Sequence, residues 1–287
     1  MTNESINVRK MLLSDMSSLM RLKNAERWNQ REKDWQLLIE YKNSVNLVAE
    51  LDDIVVGSIT AINYANTVAW IGMMLVEKSY RGRGISKRLL NNTIGLLQDC
   101  KSIKLDATPA GQPVYKRLGF KDEHTIYRMT HPAAYKISLT KSEYRPEQAR
   151  PEDIKAISGL DEAVFGADRS ELISWLFKDS PELAWLIREN DTIVGFCLGR
   201  KGLNFTQIGP VHARTDDETM AIIRSAINQI TGCAVVVDLL ADKTGVEAWL
   251  TENGFTTQRP FERMYLNHNP YPGIVEQQYG ISGPELG

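Results

Sequence analysis

Hydrophobic and polar positions along this chain follow two periods in turn, one near two residues and one near 3.6, which mark strands and helices. Residues 6–11 alternate and predict a first strand. Ser14-Asp15 offers a helix N-cap ahead of Met16, Leu19, Met20 and Leu22. A second helix is predicted over 26–41, with Trp35, Leu38 and Ile39 inward. Residues 46–50 and 54–61 read as the arms of a hairpin turning at Asp52-Asp53. The apolar run 68–76 predicts a buried strand. A helix over 84–100 follows, carrying Ile85, Leu89, Leu90, Thr93, Leu96 and Leu97 at three-and-four spacing, and then a strand over 103–107. Pro109 and Pro113 break the chain before a short helix at 114–118, and 120–130 closes the series as a strand stopped by His131-Pro132.

The series then recurs. Tyr144-Arg145 ahead of Pro151-Glu152-Asp153 echoes Val8-Arg9 ahead of Ser14-Asp15. Gly195 stands to Gly57 as Gly209 stands to Gly72 and Gly254 to Gly119, in the same order and at a nearly constant shift. Landmarks displaced together over so long a period predict a duplicated α/β domain rather than a solenoid. The first copy is expected in 1–132, a connector in 133–143, the second copy in 144–268, and a Pro- and Gly-rich tail in 269–287 that either lies across a cleft or hangs loose.

Composition narrows the class without naming a chemistry. A length of 287 residues, 43% hydrophobic and 24% charged, is that of a globular protein of one large or two ordinary domains. A net charge of −2 gives no electrostatic case for a nucleic acid or an anionic membrane as partner. Cys100, Cys197 and Cys233 are isolated, without metal-ligand spacing, and predict buried thiols in a reducing cytoplasm, with no metal. The polar N-terminus predicts no secretory signal, and no apolar stretch reaches the roughly 18 residues of a membrane span.

Chemistry concentrates in one segment. The strand at 68–76 runs into Tyr80-Arg81-Gly82-Arg83-Gly84-Ile85-Ser86 and then a helix. Glycines let the backbone turn sharply and approach a ligand, and the N–H groups opening a helix form an anion site. Arg81 and Arg83 add charge suited to phosphate oxygens. The spacing is neither a Walker loop nor a dinucleotide fingerprint.

With its glycine loop and, about 30 residues on, Tyr115-Lys116-Arg117-Leu118-Gly119-Phe120, the first copy resembles the GNAT superfamily of acyl-CoA-dependent N-acetyltransferases over about residues 6–130. Arg81 through Ser86 fits that superfamily's (Gln/Arg)-x-x-Gly-x-(Gly/Ala) loop, with Ser86 a mild departure at the last position. The resemblance implies an α/β fold of two tandem domains, each a central mixed, splayed sheet flanked by helices. It implies acetyl-CoA as co-substrate, with the backbone of Met74, Leu75 and Val76 along the pantetheine and Arg81, Gly82, Arg83, Gly84, Ile85 and Ser86 around the pyrophosphate. Tyr115 becomes the general acid for the leaving thiolate. The glutamate base that many members carry on the strand before the loop is missing, and Pro109 replaces a frequent Asn. Asp106, at a strand end beside the cleft with His124 behind it, is the best remaining carboxylate, read either as base or as a solvated strand-end acid.

Carried over to the second copy, the register puts Glu218, Thr219, Met220 and Ala221 where the first has its loop, and Leu250 where it has Tyr115, so that copy is expected to be catalytically silent or to bind acyl-CoA by another route. The expected activity is transfer of an acetyl group to a primary amine, a small molecule or a protein amine, by a monomer or homodimer. A non-catalytic acyl-CoA binding or sensing protein is the alternative. Trp28, Trp35 and Trp70 are candidates for the acceptor wall.

Overall fold

The structure is a computed structural model describing residues 6–133, 135–137, 143–230, 232–270 and 272–287. Its first half holds β1 (Asn7–Lys10), α1 (Met16–Ala25), α2 (Glu32–Glu40), β2 (Val45–Leu51), β3 (Ile54–Tyr64), β4 (Val68–Val76), α3 (Ile85–Leu96), β5 (Ser102–Ala107), α4 (Gln112–Arg117) and β6 (Lys121–His131). The second repeats the order: β7 (Glu147–Gln148), α5 (Ile154–Phe165), α6 (Ser170–Asp179), β8 (Trp185–Glu189), β9 (Thr192–Lys201), β10 (Thr206–His212), α7 (Asp216–Ile227), β11 (Val235–Leu240), α8 (Thr244–Glu252) and β12 (Thr256–Asn267), with β13 (Gln278–Gly280) added. None of the helices is long and apolar enough to cross a membrane, among the described residues.

Local signals and structure agree closely at the turns. Leu51 pairs with Ile54 across Asp52 and Asp53, both at positive φ, as a two-residue hairpin turn of mirrored type demands. Asn190 and Asp191 repeat that turn between Glu189 and Thr192. The predicted second helix is shorter than expected, opening at Glu32 after a loop that starts at Glu26. On α3 the apolar stripe buries Ile85, Leu89, Leu90 and Thr93, but Leu96, the last residue of the helix, is exposed while Leu97 takes the buried place. Cys100 and Cys197 are buried, whereas Cys233 is exposed, contrary to the expectation for all three thiols.

All strands form one sheet in the order β1-β2-β3-β4-β5-β12-β6-β11-β13-β10-β9-β8-β7. The division at 1–132 and 144–268 therefore describes order along the chain, not in space. Each half gives its last strand to the other: β12 closes the first half against β5, and β6 closes the second against β11. The middle of the sheet is the antiparallel pair of exchanged strands. Ion pairs at matching places pin the exchange, Arg263 of β12 on Asp106 of β5 and Arg128 of β6 on Asp238 of β11.

The tail is packed rather than loose. Tyr279, Ile281, Ser282, Glu285 and Leu286 are buried, and β13 lies antiparallel between β10 and β11. One face of the sheet carries a core to which both halves contribute, with Trp35, Tyr64 and Trp70 of the first, Phe165 and Phe196 of the second, and Leu286 of the tail. The opposite face holds a separate core under α3 and another under α7 and α8. The connector at 133–143 falls partly outside the described residues.

Candidate functional site

The site begins where two parallel strands separate. β4 and β5 pair only as far as Ile71 with Leu105. Just beyond, β4 slips register against β3, and Met73 takes a φ of +47, a bulge that bends the strand out of the ladder. The Ser58 hydroxyl donates to the Met73 carbonyl at 2.9 Å and holds the bend. Past Ile71 the edge of β4 facing β5 has no strand on it among the described residues, leaving backbone groups that an extended ligand can pair.

Gly82 and Gly84 follow with φ of +81 and +79. A Cβ at either would meet no atom within 4 Å, so the left-handed backbone, not crowding, requires glycine. Gly84 precedes α3 with no side-chain cap on it, so the first N–H groups of that helix open onto the same space. Arg81 is anchored at the rim by Glu26 at 2.6 Å and by the Val76 carbonyl at 3.1 Å.

A cavity of about 770 Å³ starts at this loop and runs along β4 into the junction of the two halves. Of the cofactor residues expected from sequence, Met74, Leu75, Val76, Arg81, Gly82, Gly84, Ile85 and Ser86 line it. Arg83 does not; its guanidinium lies 5.2 Å from the centre of the Tyr80 ring. Tyr115, from α4, reaches the cavity wall with its ring edge-on to Phe120. Burial pushes its phenol up to about 12, so it stays protonated through the physiological range.

Asp106 also reaches the wall, but its carboxylate is fully buried and both oxygens accept from Arg263, at 3.0 and 3.2 Å. Burial raises its pKa while Arg263 opposes that rise. The solvated strand-end acid expected from sequence is thus a structural ion pair, and the Asp238–Arg128 pair of the other half reproduces it. A feature present in both halves belongs to the fold. His124 stands beside Glu123, outside the cavity wall. Trp35 and Trp70 are core residues, and of the three tryptophans only Trp28 borders the cavity.

The far end of the cavity is built by residues that sequence reasoning passed over. Asn29 and Gln30 come from the loop between α1 and α2. The second half holds that loop in place: Asn29 accepts from the backbone N–H of Asn204 and Phe205, both at 2.9 Å, and donates to the Phe205 carbonyl. Arg259 and Phe261 arrive on the exchanged strand β12, and Glu285 on the tail. Glu285 is pressed against β4, its Cα 2.7 Å from where a Cβ on Gly72 would stand. One of its oxygens accepts from Arg200, which also pairs with Asp34 at 2.9 Å.

Family models for a GNAT acetyltransferase domain match residues 18–131 and, separately, 157–280. The chain is a tandem GNAT protein. Acyl transfer is the chemistry that family carries. The chain is 24% identical over 245 residues to the uncharacterized N-acetyltransferase YitH of Bacillus subtilis (strain 168), covering 84% of each. It is 22% identical over 264 residues to a holothin acyltransferase of a Pseudoalteromonas species, covering 92% of this chain and 88% of that one. In fold it matches the crystal structure of a candidate acetyltransferase from Pyrococcus horikoshii with a TM-score of 0.80, at 22% identity, over 100% of this chain and 98% of the other.

The second GNAT half keeps the splay, but its gap is filled. β10 and β11 part after Ile208 and Val237, positions matching Ile71 and Leu105, and β13 fills the gap. No glycine loop follows. α7 starts at Asp216, with Asp216, Asp217 and Glu218 in its first turn and the Thr215 hydroxyl accepting from the Glu218 N–H. Glu218 lies inside a helix rather than in the turn expected from the repeat register. Leu250, at the place of Tyr115, is fully buried.

Proposed function

We propose that this protein transfers an acetyl group from acetyl-CoA to the primary amine of a small molecule, in the first half alone. The continuity of a single cavity carries this reading: it joins the glycine loop, the unpaired edge of β4, Tyr115 and a polar chamber. Pyrophosphate lies against Gly82, Gly84 and the opening N–H groups of α3, with Arg81 and Arg83 alongside. The pantetheine amides pair with the backbone of Met74, Leu75 and Val76 along the parted edge of β4. N–H groups there polarise the thioester carbonyl.

The acceptor amine enters from the chamber and its nitrogen attacks the carbonyl carbon. The C–N bond forms, the C–S bond breaks, and the Tyr115 phenol gives its proton to the departing thiolate. Glu285, on the cavity wall, takes the proton from the amine. It stands beside β4, the strand on which relatives of this kind carry their glutamate, and so replaces Asp106 as the base. The cytoplasm, where acetyl-CoA and free amines are at hand, is the fitting compartment.

The measurement is free thiol released on mixing acetyl-CoA with an amine library. Tyr115→Phe lowers turnover at least about tenfold and leaves acetyl-CoA affinity in place. Unchanged turnover removes Tyr115 from the mechanism. Acetyl-CoA binding without thiol release from any amine favours the alternative, a non-catalytic acyl-CoA sensor.

A further inference from the structure

The far end of the cavity holds a positive charge without a counter-ion. Arg128 and Arg259 stand opposite each other in the β6–β12 ladder, and both guanidiniums lie on Phe261, 5.0 and 4.8 Å from the ring centre. Arg128 is neutralised by Asp238 through two hydrogen bonds of 2.7 Å. Among the described residues Arg259 has no carboxylate within ion-pair distance, and its Nε is shut off from water with no hydrogen-bond partner. Leaving a half-buried guanidinium unpaired beside a second one costs free energy, a cost that an arriving anion removes. Burial and the neighbouring Arg128 accordingly hold Arg259 below the ordinary arginine pKa.

Gln30, on the wall of the same chamber, is a second unpartnered group and calls for a donor rather than an acceptor. It is 7% exposed, lines the cavity, and its Oε1 is buried without a donor. The repeat register adds a third. Arg263 and Arg128 correspond between the halves, each on its aspartate, but the counterpart of Arg259 is His124, which faces Arg263 across the ladder. Arg259 is therefore no part of the duplicated ion-pair scheme.

We propose that Arg259 binds the carboxylate of the acceptor, so that the substrate class is an amine bearing a carboxylate: a free amino acid or an amino-acid-like small molecule. The planar guanidinium suits a carboxylate in two-pronged fashion, and its single charge matches a single negative charge. Gln30 accepts from a further N–H of the same molecule. This rests on the acetyl-transfer reading given above.

The test compares amino acids with their methyl esters, with alkylamines of the same length and with aminoalkyl phosphates, in thiol release by the full-length protein. Amino acids should exceed esters and alkylamines at least about tenfold in kcat/KM, the scale of a charge-assisted pair. Arg259→Gln should bring that preference to within about twofold by raising KM for the acids, and Arg259→Lys should retain part of it. Arg259→Gln should also melt no lower than the parent chain, since it removes an uncompensated charge. Equal use of esters, a preference for phosphates, or a melting loss of more than about 5 °C in Arg259→Gln overturns the proposal. Should wild type release no thiol from any amine, the transfer reading fails by itself. Calorimetry of N-acetyl amino acids on the CoA-loaded protein then decides the subsite: binding that Arg259→Gln loses upholds it, and binding that survives refutes it.

Discussion

The two halves of this protein carry the same splay, and in one it is a cleft while in the other it is filled. β4 and β5 separate after Ile71 and leave a cavity, whereas β10 and β11 separate after Ile208 and receive β13. A parted pair of strands exposes unpaired N–H and C=O groups that must find partners. In the second half the chain's own tail meets that demand. In the first the demand is left open, which is what a site for an extended, amide-bearing ligand needs. Duplication also separates framework from chemistry. The Asp106–Arg263 and Asp238–Arg128 pairs recur and belong to the framework, while Gly82, Gly84, Tyr115 and Arg259 occur once.

The contrast can be broken most directly at the loop. Arg81→Glu combined with Gly84→Glu puts two negative charges and an ill-suited backbone at the anion site and should abolish acetyl-CoA binding in calorimetry, where the parent binds one equivalent per chain. Two equivalents, or binding that survives the double variant, would remove the distinction between the halves. Next in size is the strand exchange. Residues 1–132 produced alone lack β12, which leaves the edge of β5 open and β6 without β11 or β12. That fragment should show no cooperative melt, and co-production with residues 133–287 should restore one. A fragment that melts cooperatively by itself would show that each half completes its own sheet.

Behind the tail lies a buried cluster of the second half. Arg169, 1% exposed, donates to Asp161 at 2.9 and 2.6 Å and to the backbone oxygen of Gly287 at 2.8 Å. Asp161→Asn should cost about 3–5 kcal/mol in denaturant unfolding, because it leaves the cation without its counter-ion. A loss under 1 kcal/mol would mean that the pair is dispensable to the packed tail.

The smallest effect is on pH dependence. His212 touches Asp161 at 3.1 Å, and burial depresses its pKa below the ordinary 6.5 despite that carboxylate. The unfolded chain therefore binds this proton more readily, so stability should decline as pH falls below about 6.5. Burial works against the Asp161 charge, but Arg169 and His212 outweigh it and hold the group at about 2, so its contribution is lost only between about 3.8 and 2. A melting temperature that falls by several degrees from pH 7 to 5, and falls less in His212→Gln, would match. A flat profile would not.

Most of the cleft was legible in the sequence because its signals are local. A glycine at positive φ, a helix opening without a cap and a Tyr three residues ahead of Leu118-Gly119-Phe120 are read within a few residues. The repeat was legible for the same reason, since its landmarks are turns such as Asp52-Asp53 and Asn190-Asp191. Asp106 misled because its carboxylate looks free along the chain, and its partner Arg263 is 157 residues away.

What the amino-acid sequence determined by itself was the elements, their duplication and which half carries the glycine-rich loop. Those follow from periodicity, turn chemistry and residue type. Only the tertiary structure decided which strand closes which sheet, that the tail fills the second splay, and that Gln30, Arg259 and Glu285 share a chamber with Tyr115. Strand exchange replaces one antiparallel neighbour with an equivalent one from the other copy. Both arrangements satisfy the same hydrogen bonds and the same Asp–Arg pairing, so nothing in the local pattern distinguishes them. The long-range packing of the two halves does.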